Sequence, residues 1–364
     1  MDYRKLPRGG ASVSVIGIGA GSLSSASDAE IDRMLGYAFE RGVNFMDTVM
    51  AEDSAAPAVA AALKGRRDRM VMQMHIGAIY PDGVYTRTRT LEKVKRGFEG
   101  ELKKYATDYA DIGLIHYVDD DGDFETVMED GIFDYARGLK KRGAIRYLGF
   151  SSHEPAICRR FIDTGEIDLF MLSLNAAYDF EPKDGVLSAS SERLELYKDC
   201  QRRGIGIAVM KPLGGGQLLS AKTSPFRAAM TAPQCIQYAL DRPAVVSCLP
   251  GASSLEEVKA YLAYLDASPA ERDYSFLGSI AGQSLRGICA YCNHCLPCPA
   301  GITVGTMNKL YDLALAGDEI ARDHYLRLDR HASDCTGCGA CETRCPFGVD
   351  VRSRMAASRS AFGI

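Results

Sequence analysis

ADIGLIHYVDDDGDFETVMEDGIFDYARGLKKRGAIRYLGFSSH, residues 110–153, holds the unit from which the fold is read. An apolar run, DIGLIH at 111–116, leads into a polar stretch, then a helix-spaced segment from Thr126 to Arg142, then a second apolar run, IRYLGF at 145–150. Neither run alternates polar with apolar residues, as a strand wetted on one face would. Strands buried on both faces read this way, and an intervening helix supplies the crossover that parallel pairing needs. The unit repeats in both directions. VSVIGI (13–18), VNFMD (43–47), MVMQMH (70–75), DLFMLSLN (168–175), IGIAVM (205–210) and VVSCL (245–249) bring the runs to eight. Helices are predicted over Asp28–Arg41, Thr90–Tyr105, Ser190–Arg203 and Ser254–Leu265. Eight β/α units in about 255 residues match a TIM barrel. The expected class is therefore α/β, a (β/α)8 TIM barrel over residues 1–280. The competing doubly wound sheet would place a dinucleotide loop at GIGAG (Gly17–Gly21), which lacks the GxGxxG spacing.

The rest of the chain, residues 281–364, is organised by cysteine. CAYCNHCLPCP at Cys289–Pro299 is answered by CTGCGACETRCP at Cys335–Pro346, and eight of the 12 cysteines lie there. Two residues between thiolates let a short loop wrap three corners of an iron–sulfur cubane, and in two-cluster proteins the cysteine before proline crosses to the other cluster. The spacing predicts one [4Fe-4S] cluster on Cys289, Cys292, Cys295 and Cys345, and another on Cys335, Cys338, Cys341 and Cys298. The first run departs from the pattern, with only Leu296 and Pro297 before its last cysteine. Zinc sites also use Cys-x2-Cys pairs but do not call for the two Cys-Pro endings. Helices are expected over Val304–Ala316 and Asp318–Leu328, which makes this a small α-helical ferredoxin-type domain. The polar, basic stretch beyond Pro346 is expected to be partly disordered.

Composition narrows the class. Of 364 residues, 46% are hydrophobic, ample for a buried core, and a net charge of −4 with pI near 5.9 carries no nucleic-acid footprint. The apolar runs are too short to span a bilayer, and the N-terminus has no signal-like apolar core, so cytoplasm is the expectation. Cys158, Cys200, Cys235 and Cys248 read as buried reduced thiols, in keeping with a reducing compartment.

Chemistry in such a barrel sits at the C-terminal strand ends. There the sequence offers Asp47 with Thr48, His75, His116 and Asn175, with Ser151, Ser152 and His153 after the fifth strand. Asp47, Glu52, His75 and His116 are also metal-ligand types that could hold iron or zinc; the alternative is a hydrogen-bonded pocket without metal.

At this point VSVIGIGAG, GVNFMDT, ALKGRRD, a strand ending in His, IRYLGFSSH, VMKPLGGGQL and LPGASSLEEVKA, in that order, resemble the aldo/keto reductases. The cysteine ladder resembles that of their iron–sulfur subgroup. The resemblance implies a tetrad of Asp, Tyr, Lys and His in which Tyr protonates a carbonyl oxygen as NADP(H) delivers hydride. Asp47 and His116 match. Counted along the chain, however, Glu52 stands at the Tyr position and His75 at the Lys position, so these four are the candidate catalytic residues. His75 or His116 is the better general acid, since a carboxylate at Glu52 disfavours a developing alkoxide. The cofactor positions implied are Ser151, Ser152, Asn175, Lys211, Gly251, Ser253 and Ser254. Met171 replaces a usual Gln, and Glu257, Tyr261 and Lys259 fall where adenine and 2′-phosphate contacts are expected.

The function expected is an iron–sulfur oxidoreductase with a small-molecule carbonyl or hydroxyl substrate, its clusters exchanging electrons with a redox partner such as ferredoxin or flavodoxin. The alternatives are an NADPH-dependent carbonyl reductase with a structural iron–sulfur appendage and a non-catalytic electron-transfer or redox-sensing module.

Overall fold

The apolar runs become the staves of one barrel. In the computed structural model, which describes residues 1–7, 10–183, 186–277, 287, 289, 295–315, 321–345 and 348–364, eight strands lie parallel in chain order. They are β1 (Ile18–Gly19), β2 (Phe45–Asp47), β3 (Val71–Ile76), β4 (Ala110–Ile115), β5 (Ile145–Ser152), β6 (Leu169–Ser173), β7 (Gly206–Met210) and β8 (Val245–Leu249). Bridges from Ile16 to Cys248 and from Gly19 to Gly251 join the first strand to the last. These bridges nearly close the barrel, which is how this architecture disposes of unpaired strand groups.

The expected first run, 13–18, divides in two. Ser12–Ser14 turns back antiparallel on Tyr3–Lys5, and only Ile18–Gly19 enters the barrel. This hairpin adds Leu6 and Val13 to an apolar core that includes Phe45, Val71, Ile112, Leu114 and Leu169. The helix expected over 126–142 likewise divides. Asp121–Glu129 and Ile132–Lys141 meet at Gly131, whose φ of 78° ends one helix and starts the other. Elsewhere the predicted helices stand with boundary shifts of a few residues. Ser27, for example, accepts from Glu30 N and starts Asp28–Glu40.

The chain divides into two compact units: residues 1–174, 191–212 and 236–268, and residues 175–190, 213–235 and 269–364. In the second, helices Val304–Leu315 and Ala321–Leu326 stand where two were expected; residues 316–320, Cys292 and Pro346 lie outside the described residues. The tail corrects an expectation, because Val351–Phe362 is a helix. Asp350 caps it through Ser353 N, while Val351, Met355, Ser358 and Phe362 are buried at helical spacing. Phe362 stacks on Tyr325 with ring centroids 3.9 Å apart, and that burial outweighs the tail's polar composition. Among the described residues no helix is long and apolar enough to cross a membrane.

Close packing makes one glycine a sensitive probe. A Cβ at Gly149 on β5 would stand 2.1 Å from Leu169 O and 2.7 Å from Leu114 Cδ2. Gly149→Ala is expected to destabilise the barrel by about 2–3 kcal/mol, read as an earlier urea midpoint in circular dichroism with unchanged slope.

Candidate functional site

Period-two alternation along β3 turns Gln73 and His75 to the same side as Asp47, whose register partner on β3 is Gln73. The three side chains are buried and bonded. Asp47 Oδ2 lies 2.6 Å from Gln73 Nε2 and 2.7 Å from His75 Nε2, while Oδ1 accepts Val49 N–H at 3.2 Å. His75 Nδ1 is 2.7 Å from His116 Nδ1. His116 Nε2 is in turn 2.5 Å from the Tyr85 hydroxyl. Asp47, His75, His116 and Tyr85 thus form one continuous chain, each group at most 6% exposed.

Its polarity follows from one end. A carboxylate only accepts, so His75 Nε2 carries a hydrogen and donates to Asp47. With neutral rings His75 Nδ1 must then accept, His116 Nδ1 must donate, His116 Nε2 must accept, and the Tyr85 hydroxyl donates to it. Every hydrogen points toward Asp47. The ring nitrogens are therefore engaged with one another and with Asp47 and Tyr85.

Tyr85 was not among the candidates read from the sequence, and Glu52 was. A single backbone bridge accounts for both. After Gly77 a hairpin pairs Ala78–Ile79 with Thr86–Arg87, and its return limb runs antiparallel beside the loop leaving β2. Glu52 bridges Val84, and Tyr85 N donates to Ala51 O at 3.2 Å. Neighbouring residues on an extended limb face opposite ways. Glu52 and Val84 are exposed, Val84 at 53%, and Tyr85 is 3% exposed. Glu52 is therefore not brought to Asp47, His75 and His116, whereas Tyr85 is. The usable signal was a tyrosine in a short PDG-turned hairpin directly after a strand ending in histidine.

Neighbouring groups hold this arrangement. The Tyr80 hydroxyl accepts Met50 N–H at 2.9 Å, and burial pushes its phenol well above the ordinary value. Lys104 sits 4.7 Å over the Tyr80 ring and pairs with Asp53 and Glu101; burial raises the Glu101 carboxyl. Arg89 donates to the carbonyls of His116 and Tyr117, both at 2.8 Å, fixing the chain just past β4.

In the second unit, Cys298, Cys335, Cys338 and Cys341 line one small pocket with Ile302, Val304, Val351 and Met355. Four thiols with apolar walls fit the donor set of an iron–sulfur cluster. Among the described residues no three His, Cys, Asp or Glu side chains stand in a metal-binding arrangement, so the thiols share a pocket and not a preformed coordination sphere. Cluster sites commonly draw together on loading. Cys345 is not among the lining residues. Cys289 Sγ accepts from Asn308 Nδ2 at 3.4 Å, and Asn308 is gripped by Arg354.

The sequence model of the aldo/keto reductase family matches residues 15–234, and that of a 4Fe-4S dicluster domain matches residues 287–349. The chain belongs to the aldo/keto reductase family. It is an oxidoreductase of that fold with an iron–sulfur domain at its C-terminal end. It is 25% identical over 285 residues to an uncharacterised oxidoreductase, YqkF, of Bacillus subtilis, covering 71% of this chain and 89% of that protein. Two solved structures share the fold. Aldo-keto reductase AKR11C1 of Bacillus halodurans in its holo form has a TM-score of 0.62 at 23% identity, covering 77% of this chain and 96% of that one. The putative aldo-keto reductase PA4992 of Pseudomonas aeruginosa has a TM-score of 0.56 at 21% identity, covering 72% and 96%.

The family's usual cofactor, NADP(H), needs backbone amides free for its phosphates. After β8 three amides at the helix start, those of Ser253, Leu255 and Glu257, are already taken. Ser253 N and Oγ donate to Glu257 at 2.7 and 2.9 Å, Leu255 N donates to Glu30 at 2.7 Å, and Ser254 caps the helix through Glu257 N. Lys259 pairs with Glu256 at 2.7 Å. A helix N-terminus attracts anions, and here Glu257 of the helix itself and Glu30 of the helix after β1 fill that role. Of the remaining cofactor candidates, Ser151, Ser152 and Asn175 are similarly engaged. Ser151 Oγ accepts from Tyr117 N at 2.8 Å, and Ser152 Oγ donates to Asp119 at 3.0 Å. Met171 Sδ takes a 3.6 Å contact from Gln73. Lys211 holds a left-handed backbone, φ 56°. Asn175, in the second unit, caps Ala176–Asp179 through Tyr178 N. These residues do not present a ready phosphate or carboxamide cradle.

Burial also sets thiol chemistry. It pushes Cys158 well above its ordinary value and both Cys200 and Cys235 up to about 12. At pH 8 on the order of one molecule in ten thousand is a thiolate at the latter two. Mass spectrometry after iodoacetamide at pH 8 is expected to find these three unlabelled in folded protein and labelled after urea.

Proposed function

We propose that this family member is an iron–sulfur oxidoreductase that interconverts a carbonyl and a hydroxyl at the barrel's strand ends and takes its electrons through two [4Fe-4S] clusters. The clusters are held by Cys289, Cys292, Cys295 and Cys345, and by Cys335, Cys338, Cys341 and Cys298. Such clusters exchange single electrons. When bound, the clusters would supply single-electron chemistry; carbonyl plus two electrons and two protons gives hydroxyl, and the reductant would be a reduced small carrier protein of the ferredoxin or flavodoxin type. The barrel's own residues handle the protons. Asp47 anchors His75, and His75 orients His116 toward the strand-end opening.

The observation that carries this reading is the loop after β8, where Glu30 and Glu257 occupy the amides a dinucleotide phosphate would use. A phosphate would have to displace two carboxylates and meet them as like charges. The pocket shared by Cys298 with the second cysteine run supports the division of ligands.

Anaerobic reconstitution is expected to give about eight irons per chain. Cys298→Ser and Cys335→Ser should diminish the same electron paramagnetic resonance signal, and Cys345→Ser the other. A reduced ferredoxin is expected to bleach the clusters, and NADPH to bind more weakly than about 1 mM. Glu30→Gln with Glu257→Gln should tighten NADPH about tenfold, or about 1.4 kcal/mol. Micromolar NADPH binding with cluster bleaching in the unaltered protein would transfer the assignment to a nucleotide-dependent carbonyl reductase.

A further inference from the structure

We propose that Tyr85 delivers the proton to the substrate oxygen and that the His116–His75 pair reloads it from inside the barrel. The inference rests on the carbonyl–hydroxyl reading above and adds the residue and route of the proton.

Position comes first. The Glu52–Val84 bridge sets the hairpin's return limb against the loop leaving β2, so that an inward tyrosine stands beside the outward Glu52. The phenol that chain counting misses at residue 52 thus arrives from residue 85, by the backbone pairing of Glu52 with Val84 and of Ala51 with Tyr85. Its hydroxyl reaches His116 Nε2 at 2.5 Å. Glu52, by contrast, would need its limb reversed to reach the same place.

The ordered chain then has two protonation states with different consequences for Tyr85. When both imidazoles are neutral, the phenol hydrogen is committed to His116 Nε2. When the pair carries one more proton, His116 Nε2–H donates to the Tyr85 oxygen, and the phenol hydrogen is released toward whatever oxygen lies at the strand ends. His75 makes this possible because its Nε2–H stays on Asp47 in both states, leaving Nδ1 to accept from His116. Gln73 donates to the same carboxylate oxygen and keeps it an acceptor.

The step balances. The substrate carbonyl gains two electrons, which the reduced carrier would supply, and a proton from solvent on carbon. Its oxygen takes the Tyr85 hydrogen as the O–H bond of Tyr85 breaks. His116 Nε2–H then passes to the phenolate oxygen, leaving the neutral pair, which regains a proton from solvent after product leaves. Oxidation of a hydroxyl runs the same bonds backward. Tyr85 is therefore the catalytic residue, and His75 is a positioning residue that acts through His116.

The test uses the reconstituted full-length protein, with 4-nitrobenzaldehyde as carbonyl probe and dithionite-reduced ferredoxin as electron source. Tyr85→Phe is expected to lower kcat by about 10²- to 10⁴-fold with KM little changed. Tyr109→Phe, at the opposite end of β4 from His116, should retain turnover within about threefold and serves as the folding control. His75→Gln should reduce a curved proton inventory in mixed light and heavy water to a straight line. Independently of turnover, ¹⁵N resonances of the histidine side chains in the oxidised protein are expected to show hydrogen on His75 Nε2 and His116 Nδ1. Tyr85→Phe should shift His116 Nε2 and leave His75 Nε2 in place. Tyr85→Phe with turnover within threefold of the parent, or the opposite tautomers, overturns the proposal. A parent protein that reduces no carbonyl overturns the wider reading instead, and the nitrogen resonances then decide the relay on their own.

Discussion

A carboxylate can accept hydrogen bonds and cannot give them, and the site is ordered by that asymmetry at Asp47. Three donors converge on its two oxygens: the Val49 amide, the Gln73 carboxamide and His75 Nε2. A buried charge without such partners would cost several kcal/mol, so the barrel register that brings them together is also what makes Asp47 tolerable there. Because Asp47 pairs in register with Gln73, and His75 lies two residues further along the same face, a shift of one residue between β2 and β3 would turn both partners away. With both imidazoles neutral, the hydrogen-bond order of His75, His116 and Tyr85 then follows.

Much of this was legible in the chain because barrel physics writes it there. Runs such as IRYLGF are apolar throughout since both faces are covered, and a polar residue ending such a run has few reasons to stand there other than the strand-end opening. Asp47, His75 and His116 were found that way, and the structure brings all three together. Tyr85 could not be found so. It sits on a hairpin, the loop it pairs with lies more than thirty positions back at Ala51 and Glu52, and whether residue 52 or residue 85 faces inward depends on the phase of one bridge. Counting positions along a motif assumes that a loop keeps its phase; here the return limb of the hairpin takes the inward place. The tail is a parallel case, where charge and small residues conceal the buried stripe Val351, Met355, Ser358 and Phe362 that only a partner such as Tyr325 makes worthwhile.

The loop after β8 shows the converse, a backbone feature that reads the same in sequence and differs in chemistry. Gly251, Ser253 and Ser254 keep the character of a phosphate loop, and the helix they introduce has the usual free amides at its start. On the proposed reading, what changes its function is the side chains that answer those amides. Glu257 comes from the helix itself, and Glu30 from the helix that follows β1, a contact with no signature along the chain. Family membership therefore secures the barrel while leaving the electron source to be argued from the loop's own charges.

The same division of labour runs through the second unit. In the sequence, Cys298 belongs to the first cysteine run, yet the pocket it lines is that of the second, with Cys335, Cys338 and Cys341. Its run is one residue shorter before the final cysteine than the usual spacing, and Leu296–Pro297 holds a cis peptide bond just ahead of it. On the proposed reading, each cluster takes three ligands from one loop and one from the other, so neither cluster can load fully while the other loop is misplaced. Helix Val351–Phe362 bears on this directly. It supplies Val351 and Met355 to the pocket wall and, through Arg354, the grip on Asn308 beside Cys289. The segment whose composition reads as a dispensable tail thus touches the surroundings of both ligand sets, and removing it would loosen both at once.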